Sequence, residues 1–144
     1  MDVLVAVNRG KSSHKILEFA ARLAGETSGT IHVLHVISDE EREAREQVPG
    51  QSRYVDVMIN EAKRDLVGRL GEIGMADLAE AVLVRVGEPV TEIRKVAAEV
   101  QHDVLVIGMR RRSRVGKFLL GSDLQEILLL SAQPVLAVPT DAPA

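Results

Sequence analysis

Cysteine and tryptophan are absent, and the whole chain of 144 residues holds one tyrosine and two phenylalanines. Without cysteine there is no disulfide, no thiolate nucleophile and no sulfur ligand for a metal, and a reducing compartment is permitted. With aromatics at 2%, the stacking platform used by single-strand nucleic-acid binders is missing, and the core has to be aliphatic. No apolar run approaches the ~20 residues that span a bilayer. The opening MDVLVAVNRG has neither the basic start nor the apolar length of a secretory leader. The cytoplasm is therefore the expected location, with no membrane segment. Lys and Arg number 18 against 21 Asp and Glu, a net charge of −3, which argues against general attraction to nucleic acid.

What the chain does have is a series of short runs rich in Val, Leu and Ile, at Val3–Val7, Thr30–Ile37, Ala81–Val86, Val104–Ile107 and Pro134–Val138. Runs that are apolar nearly throughout predict strands covered on both faces, as in parallel sheets. Helical periodicity fills the gaps. Ser12 or Ser13 can cap a helix with Ile16, Leu17, Ala20, Ala21, Leu23 and Ala24 on its apolar stripe, and a longer helix runs from about Tyr54 to Leu70 or beyond. Pro89 and Gly121-Ser122 open two more. The charged run SDEEREAREQ, followed by Pro49-Gly50, reads as a loop or a frayed helix start with a solvated face. Strand and helix alternate, which predicts an α/β three-layer sandwich: a five-stranded parallel sheet with helices on both faces, in a single domain over residues 1–144. Ligands of such folds sit beyond the carboxyl ends of the strands, where the strand order reverses. The loops after the first and fourth strands are the places to look.

The second of these, GMRRRSRVGKFLLGS, puts four arginines and a lysine between Gly108 and Ser122. Rival motifs fail around it. Gly10-Lys-Ser12 imitates the tail of a phosphate loop, but its upstream glycine would fall at Val5, inside a strand. His32 and His35, three apart on a strand, point to opposite faces and cannot share a metal. His14 and His102 have no carboxylate or cysteine cluster near them in sequence and read as surface histidines, so no metal is expected. Ser122 has no base near it in sequence and reads as a helix cap.

The stretches VLVAVN, VLHVI, VGEPVTEI, DVLVIGMRRRSRVGKFLLGS and QPVLAVP together resemble the universal stress protein family along essentially the whole chain. The family's nucleotide motif, Gly-x2-Gly-x9-Gly-Ser/Thr, is matched in spacing by Gly108-x2-Arg111-x9-Gly121-Ser122, with arginine at the second glycine. The resemblance implies a sheet order of 3-2-1-4-5 and a non-catalytic stress-response or regulatory domain that binds ATP, an AMP-type nucleotide or another anion. Adenine and ribose would meet Ala6, Val7, Asn8, Val36, Ile107 and Gly108. The phosphates would lie by Arg110, Arg111, Gly121, Ser122 and Asp123, where free helix N–H groups favour an anion. Arg111 puts a Cβ where the family has glycine, Asn8 stands where binders carry aspartate, and Asp123 adds a negative charge beside the phosphate position. The arginines offset phosphate charge by side-chain pairing. A second reading stays open: a nucleotide-independent interaction module that dimerises, or docks to a larger protein such as a transporter.

Pro134–Val138, the last strand, is expected at the edge of the sheet, and no charged residue guards it between Gln133 and Asp141. Pairing with its own copy across a two-fold axis would satisfy both edges, and relatives resembling this chain often dimerise that way. A homodimer through this strand is the expected assembly.

Overall fold

Five aliphatic strands form one parallel sheet in the order β3-β2-β1-β4-β5. They are β1 (Val3–Ala6), β2 (Ile31–Ile37), β3 (Val82–Val86), β4 (Val104–Met109) and β5 (Val135–Pro139). The computed structural model describes residues 1–9, 12–50, 54–109 and 122–140. The helices are α1 (Ser13–Glu26), α2 (Asp39–Glu46), α3 (Val55–Glu72), α4 (Pro89–Glu99) and α5 (Ser122–Leu130), with a 3₁₀ turn at Ala76–Ala81 before β3. Among the described residues no helix is long and apolar enough to cross a membrane.

Strand side chains alternate between two cores. Val3 and Val5 of β1, Ile31, Val33 and Ile37 of β2, and Val104 and Val106 of β4 pack with α1 and α3. Leu4, Leu34, Leu105 and Ile107 pack on the other face with α4 and α5. This is why the central strands read as continuous apolar runs: each face has helices to cover it. Helix α3 buries Met58, Ala62, Leu66 and Leu70, spaced by fours along one stripe. It ends at Gly74, whose φ of +74° is the left-handed conformation that glycine adopts without strain. The Met75 N–H then donates to Leu70 O at 2.7 Å and the Gly74 N–H to Gly71 O at 3.2 Å, so the last helical carbonyls are satisfied in a Schellman closure. Tyr54, the only tyrosine, stands in the N-cap position of this helix and is exposed.

At the amino edge of the sheet Asp2 ties three strands together. Its carboxylate accepts from the Thr30 N–H at 2.9 Å and the Thr30 hydroxyl at 3.0 Å, while its own N–H donates to Asp103 Oδ2 at 2.7 Å. The Thr30 backbone hydrogen bond, and after it the hydroxyl, hold the Asp2 carboxyl below the usual aspartate range.

Three local expectations are corrected. The charged run after β2 is a regular helix, α2, because Ser38 caps it by accepting from the Glu41 N–H at 3.1 Å and three acidic residues occupy its first turn, where the helix dipole favours them. That face is not wholly solvated: Arg45 lies largely buried against α3 and pairs with Glu61. Ser12 occupies the N-cap position of α1 without capping it, since its hydroxyl is turned to Asn8. His102 is buried rather than on the surface, with Nδ1 at 2.9 Å from Val100 O.

Candidate functional site

The sheet order reverses between β1 and β4, which pair directly while their connections leave in opposite directions. A cleft of about 340 Å³ opens there, beyond the carboxyl ends of the strands. Clefts of similar volume lie under α2 (about 320 Å³) and beside α1 (about 360 Å³). Position rather than size therefore singles out the first, since open parallel sheets bind ligands at the switch point.

Of the residues that the sequence put forward, Ala6, Val7, Asn8, Val36, Ile107, Gly108 and Asp123 all line this cleft. Ser122, the first residue of α5, is not among the lining residues. Arg110, Arg111 and Gly121, with the rest of the arginine loop, lie outside the described residues, as do Gly10 and Lys11. Asn8 and Ser12 form a reciprocal pair across the mouth of the β1 loop: the Asn8 amide donates to Ser12 Oγ at 3.1 Å, and the Ser12 hydroxyl donates to Asn8 Oδ1 at 3.2 Å. Together they offer a ligand a fixed donor and acceptor edge. At Gly108 a Cβ would come within 2.6 Å of the Ile16 side-chain tip and 3.1 Å of Thr140 Cγ2. The missing side chain keeps the floor of the cleft open, which gives the motif's first glycine a physical reason. Asp123, in the first turn of α5, brings a carboxylate to the same wall.

Sequence reasoning missed Thr140, Ser12, Ile16 and Pro89, which also line the cleft. Thr140 follows β5, and its N–H and hydroxyl both donate to Met109 O, at 2.9 and 3.2 Å. The signal was available: parallel neighbours end at one edge, so the residue just after β5 must arrive beside the end of β4. Among the described residues, no group of three or more His, Asp or Glu side chains is placed to hold a metal ion.

A parallel 3-2-1-4-5 sheet with a mostly apolar cleft at its switch point defines an open, doubly wound α/β protein. The comparisons narrow this further. A model of the universal stress protein family matches residues 1–139, and the chain belongs to that family. It is 30% identical over 148 residues to universal stress protein YxiE of Bacillus subtilis (strain 168), covering 94% of this chain and 97% of that protein. A universal stress protein structure from Archaeoglobus fulgidus matches with 28% identity and a TM-score of 0.64, over 95% of this chain and 97% of the other. A universal stress protein from the same organism, solved in complex with dAMP, matches with 26% identity and a TM-score of 0.56, over 95% and 96% of the two chains.

Proposed function

We propose that this chain is a non-catalytic regulatory domain of the cytoplasm, which binds an adenine nucleotide in the cleft between the ends of β1 and β4. The observation that carries the reading is the convergence of Ala6, Val7, Asn8, Val36, Ile107 and Gly108 on one cleft. A relative solved with dAMP supports a nucleoside monophosphate as the first ligand to try. The arginines of residues 110–114 would then offset the phosphate charge that Asp123 opposes. The domain works as a two-fold dimer joined along β5.

Thermal unfolding with AMP, dAMP, ATP and cyclic AMP is the direct test. A ligand held at 100 times its dissociation constant stabilises the fold by about 2.7 kcal/mol, a rise in Tm of roughly 5–10 °C for a chain of this size. Unchanged melting with all four at millimolar concentration would refute the nucleotide reading and leave the dimeric interaction module standing.

Arg111→Gly restores the Gly-x2-Gly-x9-Gly-Ser frame. If that position needs positive φ, a residue with a Cβ costs about 1–2 kcal/mol there, and ATP is expected to bind about tenfold more tightly to this variant. Weaker ATP binding, measured by calorimetry, would instead make the Arg111 guanidinium part of the clamp.

A further inference from the structure

His35 sits on β2 and is buried, 6% exposed, at the carboxyl edge of the sheet. Its Nδ1 lies 2.8 Å from the carbonyl oxygen of Val7. A carbonyl only accepts, so Nδ1 carries the proton. On the other side of the ring, Nε2 stands 3.3 Å from Glu41 Oε2, in the first turn of α2. That is ion-pair range, yet among the described residues no hydrogen bond is completed to Nε2. The ring therefore faces two acceptors. A neutral imidazole has one N–H and can serve one of them; an imidazolium serves both.

We propose that His35 and Glu41 form a proton-operated latch, which fastens α2 to the end of β1 and so positions the Val7–Asn8 wall of the cleft. The part concerning the cleft rests on the nucleotide reading above; the latch itself does not.

The surrounding charges keep the Glu41 carboxylate ionised. Arg9, just beyond β1, reaches Glu41 Oε1 at 3.2 Å and Asp65 of α3 at 3.8 Å. The backbone oxygen of Arg9 accepts from Arg69 Nε of α3 at 3.1 Å. Arg45, one turn along α2, acts on the Glu41 carboxylate and is itself answered by Glu61 of α3. On β3 the residue beside His35 is Val84, which does not titrate. From α1, His14 makes a separate contact to Glu72 of α3 at 2.9 Å. Burial pushes the Glu41 carboxyl up, but the approach of the His35 ring, with Arg9 and Arg45 behind it, outweighs burial and holds the carboxyl below the ordinary glutamate value. The sign follows. The latch closes as pH falls and the His35 ring takes up a second proton. It is lost again only when pH falls far enough to protonate Glu41, so it is strongest in the mildly acidic window between.

The test compares the full chain with Glu41→Gln, a substitution on the half-exposed face of α2 that keeps side-chain shape. Imidazole nitrogen shifts should report both His35 nitrogens protonated at pH 6. Amide exchange in α2, corrected for intrinsic rates, should be about tenfold slower at pH 6 than at pH 8 in the wild-type chain, since tenfold corresponds to ~1.4 kcal/mol. Glu41→Gln should remove that difference; the His14–Glu72 contact, present in both proteins, cancels from the comparison. Cyclic AMP, whose phosphodiester keeps its charge from pH 6 to 8, should bind several-fold more tightly at pH 6 in the wild-type chain alone. An Nε2 without a proton at pH 6, or an α2 pH response that survives Glu41→Gln, overturns the latch. Cyclic AMP binding that ignores pH while α2 responds overturns its link to the cleft. An intact α2 response with AMP, dAMP, ATP and cyclic AMP all failing to bind at either pH overturns the nucleotide reading and leaves the latch in place.

Discussion

Ala137→Pro is expected to separate the two copies of the proposed dimer while leaving each protomer folded. The reason lies in which backbone groups of β5 are already used. Leu105 N donates to Pro134 O, and Thr140 N donates to Met109 O. Backbone groups alternate sides along a strand, so residues 134, 136, 138 and 140 turn theirs toward β4. Val135, Ala137 and Pro139 turn theirs outward, and because proline has no N–H, the outward donors of β5 are those of Val135 and Ala137 alone. A proline at 137 removes one of them without touching the β4–β5 ladder. Across a two-fold axis the loss is doubled, at about 0.5–1.5 kcal/mol for each bond, and the ring also intrudes on the seam. The dimer dissociation constant should rise about a hundredfold, read by sedimentation equilibrium, with the wild-type Tm of the isolated protomer kept within a few degrees. A dimer that persists unchanged in this variant places the interface elsewhere. Val138 offers no such test, since it is 6% exposed and part of the core under α1 and α3; a charge there would unfold the chain rather than separate two copies.

Leu66→Ala should bring the largest loss of stability of any single truncation on α3. Leu66 is fully buried at the centre of the Met58, Ala62, Leu66, Leu70 stripe. Removing such a side chain costs about 2–5 kcal/mol, through lost transfer energy and the cavity that stays open. For a domain of this size the midpoint should fall by roughly ten degrees. Val57→Ala, on the exposed side of the same helix, serves as the control and should shift Tm by no more than a degree or two. Equal effects from the two substitutions would contradict the packing described for α3.

The architecture was legible in the sequence because parallel strands covered on both faces need continuous aliphatic runs, and those runs fall within one or two residues of the five strands. Helices α1, α3 and α4 were legible from period and from Pro89. Helix α2 was not. Its sequence, DEEREARE, has no apolar stripe to betray it, and its evidence is the Ser38 cap with Glu41 three residues on, a signal carried by hydrogen bonding rather than hydrophobicity. The same blindness hid His35. On a strand pattern it is one more polar interruption, and only the three-dimensional approach of Val7 and Glu41 gives its two nitrogens separate tasks. For the cleft, the family frame pointed to the walls contributed by β1, β2 and β4. The contributions of Ser12 and Thr140 depend on loop geometry that no periodicity encodes.

Tyr54 gives the molecule an unusual optical character. With no tryptophan and a single, solvent-exposed tyrosine, the protein absorbs weakly in the near ultraviolet, and that chromophore stands in water both before and after unfolding. Intrinsic emission will therefore be nearly silent about the state of the core. An adenine ring in the cleft, by contrast, would dominate the absorption of the complex. A preparation that carried a nucleotide through purification would betray it in its spectrum, displaced to shorter wavelength than tyrosine alone allows, before any ligand had been added.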